Sequence, residues 1–282
     1  MDRELVLAVL VAAFCGASLI AAGWWWPVAT SHAPAGDASE RMMWRQLWLP
    51  FAPALMIFAL LCGWAVVEPA DAEPAPPVLI LAALPFALIF CRAIWRACRA
   101  LRTSQIGEAI ATVGIVRPRI VISERFADAV DGSAMAAAME HERAHLRRRD
   151  PMRIWLAQFG TELQWPAPAA AARLQQWKRA LEIACDDEAR AHGVAGPDLA
   201  AAILVALRVG RSSCRAEASA LLAEEAFIRE RVARLLAPLP SEAPAQRRFA
   251  PILWLLAVAL PFAILIGLEF GERLIGSLLI GA

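Results

Sequence analysis

The run His141-Glu142-Arg143-Ala144-His145 is where the residue types and spacing of this chain could do chemistry. It lies in a stretch, 133–149, whose composition reads as one helix. Residues four apart on an α-helix stand about 40° apart around the axis and about 6 Å along it, so both imidazoles leave one face. That spacing is a two-histidine clamp for zinc. Glu142 sits beside the first histidine without belonging to the pair, and is placed to take a proton from water at the metal. The division of labour predicts hydrolysis of peptide bonds. The plainer alternative is a chance motif in a helix rich in Glu, Arg and Ala, its histidines simply solvated.

A catalytic zinc usually takes three protein ligands and keeps a fourth position for water, so a third donor is needed. The chain has four histidines, and the other two are His32 and His192. A better donor is Glu182, in Leu181-Glu182-Ile183-Ala184-Cys185-Asp186, on a second helical stretch at about 171–192. Glu182 and Asp186 are again four apart, so one carboxylate could bind metal while the other holds a ligand imidazole by its remaining N–H. Against this, Lys178, Arg179, Glu182 and Asp186 could make ordinary surface ion pairs along the helix.

The order and spacing of several segments together resemble a known family. These are Met139 to Asp150 around the histidines, Trp165-Pro166, and Glu182-Ile183-Ala184-Cys185-Asp186. Upstream, Gly114 to Ile122 is similar to that family's strand segment, and downstream Ile228 to Leu236 is similar to its closing helix. The family is the membrane zinc peptidases of the β-lactam sensor-transducers (Bla/Mec antirepressors), and the resemblance covers about 101–237 and the flanking membrane segments. It implies one catalytic Zn2+ bound by His141, His145 and Glu182, with Glu142 as the base and Asp186 orienting a ligand histidine. It also implies a bacterial inner membrane as the location, and a protein substrate such as a cytoplasmic transcriptional repressor or the chain itself. Arg143 departs from the pattern, being a charge where an uncharged residue is usual, though it can point away from the metal.

What stabilises the oxyanion is open, since the chain has no tyrosine. His192 is the spare histidine nearby and the candidate for that role; a capping position before Gly193 is the alternative. Cys185, three residues after Glu182, reads as a small packed hydrophobe rather than a ligand.

The elements that must position these groups are mostly helical and lie in a membrane protein. Hydrophobic residues make up 59% of the chain, which allows four long apolar stretches, at about 5–28, 46–67, 74–95 and 249–270. Each can cross about 30 Å of hydrocarbon at 1.5 Å per residue. The fold expected is therefore mainly α and integral to the membrane: four transmembrane helices with a gluzincin-type helical zinc peptidase domain, 96–248, carrying a short β segment, and a tail at 271–282. Trp24-Trp25-Trp26 suits an interfacial belt. The first stretch is read as an anchor rather than a secretory signal, because it opens on Asp2-Arg3-Glu4 and its apolar run is long.

Arg92, Arg96, Arg99 and Arg102 follow the third stretch and Arg247-Arg248 precede the fourth, while Glu68, Asp71 and Glu73 lie between the second and third. The positive-inside rule then puts the peptidase domain in the cytoplasm and both termini outside. A net charge of +1 gives no basis for direct nucleic-acid binding. Of six cysteines, Cys15, Cys62 and Cys91 fall in spans and Cys98, Cys185 and Cys214 on the reducing side, so no disulfide framework is expected.

The alternating segment 111–123 reads as one or two short strands broken at Arg117-Pro118. Such a strand could pair with an extended substrate, or merely bury the back of the zinc helix. Only twelve residues follow Phe270, too few for the extracellular penicillin-binding domain of the sensors, so the sensed ligand is not implied. Two other functions share the features: a membrane quality-control peptidase of the gluzincin type, and a catalytically idle signalling scaffold.

Overall fold

In the computed structural model the chain is described over residues 3–26, 28, 36–67, 77–102, 109–211 and 218–238. The fourth apolar stretch, the tail, His32, Cys214 and the acidic loop after the second stretch lie outside the described residues.

Three helices among the described residues are long and apolar enough to cross a membrane: Val6–Trp25, Asp37–Ala65 and Ile80–Arg99. The first is built from α1 (Arg3–Leu10), a π-helical turn at Val11–Cys15, and α2 (Gly16–Trp25). The second joins α3 (Asp37–Trp48) to α4 (Ala52–Val67) through a 3-10 turn carrying Pro50, which lacks the N–H that a regular helix turn would use. The third is α5 (Pro77–Arg102), with Pro85 inside it. Cys15, Leu19 and Ala54 form a small core with Phe51, Ile57 and Phe86. A Cβ on Gly16 would fall 2.3 Å from the Phe86 ring, so the close approach of the first and third helices requires glycine there.

The second helix starts well before the apolar stretch at 46. Its first turns, Asp37 to Arg45, are polar, and Asp37 and Glu40 stand where the helix dipole favours negative charge. This polar turn is not membrane surface. Leu47, with Met43, Trp44 and Trp48, packs on Ala157, Leu174, Trp177 and Leu181 of the segment that begins at residue 109.

That segment opens with a hairpin, β1 (Ile110–Val113) and β2 (Arg119–Ile122), antiparallel with Ile110 opposite Ile122 and Val113 opposite Arg119. Gly114, at φ +98, turns the chain out of β1, and a side chain there would meet the Arg117 carbonyl at 2.7 Å. Of the one or two short strands expected from the sequence, two are present, each four residues long.

Helices α6 (Glu124–Ala129), α7 (Gly132–Arg148), α8 (Asp150–Leu163), α9 (Pro168–Ala191), α10 (Gly196–Arg211) and α11 (Ala218–Leu236) follow. Asp131 caps α7 by accepting from the Ala134 N–H at 2.8 Å. Its buried stripe, Ala134, Ala137, Ala138, His141, Ala144 and His145, keeps helical spacing, and the alanines let neighbouring helices come close. Phe126, Ala134, Ala138 and Ala202 fill one side of α7; Ala137, Ala189, Leu199 and Leu235 fill another.

The three membrane-type helices meet this segment at one set of ends. Arg173 of α9 donates to the carbonyls of Trp26 and Gly23, Glu40 of α3 pairs with Arg153 of α8, and Arg92 and Arg96 of α5 pair with Glu162 of α8. The exit of the first helix, the entry of the second and the exit of the third therefore share a side with the histidine motif.

Candidate metal centre

Helices α7 and α9 bring His141, His145 and Glu182 together, with one donor atom from each within a single cluster. The Nε2 atoms of His141 and His145 are 3.1 Å apart. Glu182 Oε2 lies 3.6 Å from the first and Oε1 3.7 Å from the second. Bonds of about 2.0–2.1 Å in a tetrahedron put ligand atoms about 3.3 Å from one another, so this donor set has the dimensions of a zinc site.

Each imidazole has a carboxylate behind it. Asp150, fully buried, places Oδ2 2.8 Å from His145 Nδ1. Asp186 places Oδ1 2.9 Å from His141 Nδ1, near in distance but off the line of a full hydrogen bond. Carboxylates at both Nδ1 atoms favour the tautomer with its proton there, which leaves both Nε2 lone pairs converging. Two lone pairs at 3.1 Å repel unless a proton or a metal cation stands between them. His141 reflects this: burial opposes its protonation, yet Asp186 and Glu182 outweigh burial and push its pKa up to about 10. The residues thus fit a divalent metal, and zinc fits the N,N,O donor chemistry.

Arg231 of α11 completes the carboxylate side. Its Nη1 is 2.9 Å from Glu182 Oε2, while Nε and Nη2 fork onto Asp186 at 2.8 and 2.7 Å. Burial would raise the pKa of Glu182, but the Arg231 charge and the two histidines hold it well below the ordinary carboxylate range. Asp186 is lowered in the same way, burial being overcome by Arg231 and His141.

Glu142 is buried and stands outside the donor cluster, as its position beside His141 dictates. Thr112 of β1 reaches it, with Oγ1 2.7 Å from Oε2 and 3.0 Å from the Glu142 carbonyl. The hairpin is therefore on the side of α7 that carries the carboxylate, and it does more than cover the back of the helix. Arg143 points to the surface and pairs with Glu140.

His192 follows the last turn of α9, ahead of Gly193 at φ +90, which is the capping position. Its ring is half-exposed and engaged by Arg147 at 3.0 Å and Glu140 at 3.1 Å. Cys185 is buried, with Sγ 3.4 Å from His145 Nδ1; burial first, then Asp150 and Glu182, raise its pKa and keep it a thiol.

Asp150, Arg231 and Thr112 are partners that the motif spacing did not single out. One signal pointed to Asp150: Asp150-Pro151 directly after the histidine helix reads as a new helix start, which turns the chain back beneath His145.

No curated protein and no solved structure matches the chain. Residues 96–235, from the end of α5 to α11, match the family model described as BlaR1 peptidase M56. Within that segment the chain is similar to the BlaR1-type peptidases, and the donor set lies inside it.

Proposed function

We propose that the chain is a zinc-dependent membrane endopeptidase that cleaves a cytoplasmic regulator of the repressor type, or itself, in signal transduction. The family match indicates a peptidase, and the apolar helices indicate one associated with a membrane. The observation that carries the finer reading is the convergence of the two Nε2 atoms and the Glu182 carboxylate at tetrahedral spacing.

His141, His145 and Glu182 would hold zinc, which would supply Lewis acidity to an attacking water and to the scissile carbonyl. Glu142 takes the proton of that water on its carboxylate and hands it to the leaving nitrogen. Thr112 holds the Glu142 carboxylate, Asp150 holds the ring of His145, and the Asp186 carboxylate stands 2.9 Å from Nδ1 of His141. An extended substrate paired along the β1–β2 hairpin would run beside Glu142, in the manner of strand addition. The arginine-rich ends of the third and fourth apolar stretches support a cytoplasmic peptidase domain in a bacterial inner membrane.

The test is Glu142→Gln, which keeps size and removes the base. Cleavage of a co-expressed candidate repressor, or self-cleavage, should fall by about 10² to 10⁴-fold at unchanged zinc content. Equal cleavage by wild type and variant would remove Glu142 from its role.

A further inference from the structure

We propose that Glu40, in the first turns of the second candidate span, is a positioning residue for the metal centre, acting through Arg153 and Asp150 on His145. The inference rests on the metal-site reading of His145. Glu40 lies outside the segment that matches the peptidase family, more than a hundred residues before the histidine motif.

The connection is single file. His145 Nδ1 meets Asp150 Oδ2 at 2.8 Å, Asp150 Oδ1 accepts from Arg153 Nη1 at 2.9 Å, and Arg153 Nη2 donates to Glu40 Oε1 at 2.5 Å. Trp177 Nε1 donates to the same Glu40 oxygen at 2.7 Å. Glu40 is 2% exposed and Asp150 0%, so both carboxylates have exchanged water for these partners. A carboxylate so deep in a helical core is costly unless it is paired and hydrogen-bonded, and the arginine here pairs two of them.

Asp150 gives one oxygen to the arginine and the other to the histidine and, at 3.7 Å, the Cys185 thiol, and the arginine divides its nitrogens between the two carboxylates. The guanidinium is also held over the Trp44 ring at 4.7 Å and the Trp177 ring at 5.5 Å. Trp44 and Glu40 are four residues apart on α3 and so share its face. Helix α3 thereby fixes both the charge balance and the plane of Arg153. Without the Glu40 carboxylate, the full arginine charge falls on Asp150 and draws it from His145 Nδ1. The imidazole then loses basicity and a fixed orientation, the two properties that a carboxylate behind a ligand histidine provides.

The consequence is that metal affinity depends on the seat of α3, and hence on the membrane helix that continues from it. The corresponding support for His141 differs in origin, since Asp186 and Arg231 both lie inside the family-matched segment.

The test is a metal-affinity cycle on the full chain in detergent. Zinc affinity by chelator competition, and the visible spectrum with Co2+ as probe, are measured for wild type, Glu40→Gln, Asp150→Asn and the double variant. Loss of a partner behind a ligand histidine weakens metal binding by about 10 to 100-fold, and Glu40→Gln should fall near the lower end. The decisive readout is non-additivity: the double variant should bind no more weakly than Asp150→Asn alone, because both changes cut one connection. Wild-type affinity and spectrum in Glu40→Gln, or losses that multiply in the double variant, overturn the proposal. If Glu40→Gln does not fold, Arg153→Lys replaces it in the same cycle, since an ammonium cannot fork between the two carboxylates. A wild type that binds no metal would instead sink the metal-site reading itself, leaving a distinguishable result.

Discussion

The Thr112 hydroxyl stands 2.7 Å from Oε2 of Glu142, tying the first strand of the hairpin to the carboxylate proposed as base. Thr112→Val keeps the shape and deletes the hydrogen bond. Turnover should fall about tenfold with zinc content unchanged, and Thr112→Ser should restore most of it, because a hydrogen bond to a charged group contributes roughly 1.5–3 kcal/mol. An unaltered rate in Thr112→Val would show that packing alone holds Glu142.

Purified protein should carry about one zinc per chain, as a tetrahedral site of three protein ligands requires. His141→Ala, His145→Ala and Glu182→Ala should each lose it on dialysis, read by elemental analysis. Full zinc occupancy with normal activity in Glu182→Ala would mean that the third ligand lies elsewhere.

Arg231 supplies the positive charge that Glu182 and Asp186 share. Arg231→Gln leaves two neighbouring carboxylates without their cation, a loss of about 3–5 kcal/mol for a buried pair with one partner removed. A divalent metal restores part of that charge. Thermal unfolding in detergent should therefore show a larger penalty with chelator than with zinc; equal penalties would make the contribution of Arg231 independent of metal.

Glu188 of α9 accepts from Arg147 and Arg148 of α7 at 2.7 Å each, bracing the two helices that carry the donors. Burial alone would raise its pKa, but the two guanidinium groups lower it below the ordinary 4.5. A depressed folded-state pKa gives stability that is present above the unfolded value and lost as pH falls through the folded one. Glu188→Gln should thus cost about 1 kcal/mol at neutral pH, and the difference should shrink below about pH 4.5. A gap that persists at strongly acidic pH would assign the effect to packing.

Much of the site was legible because it is written in helical spacing. His141 and His145, and Glu182 and Asp186, are each four apart, and the alanine stripe of α7 announces its buried face. The hairpin was legible from alternation and from the break at Arg117-Pro118. Asp150-Pro151 marks a helix start, but the reversal that brings Asp150 to His145 runs through Arg149 at φ 55, ψ 41, a left-handed residue that no glycine or asparagine signals. Glu40 was hidden by the way hydropathy sets boundaries. An apolar window begins at 46, so the polar turns before it fall outside every apolar stretch, whereas they form a helix whose partners lie across the chain. Arg231 sat within a segment recognised as a closing helix, but its pairing with Glu182 and Asp186 is a tertiary contact that no local pattern encodes.

Trp177 is fully buried, and its indole lies against Trp44 of α3 with ring centres 4.9 Å apart. The peptidase is therefore not severable at the border of its family-matched segment. A chain cut at residue 96 would bare that indole to water, strip Arg153 of Glu40, and leave Arg173 without the Trp26 and Gly23 carbonyls it caps. The apolar helices are walls of the matched segment as well as candidate membrane anchors, and the smallest stably folded unit has to include them.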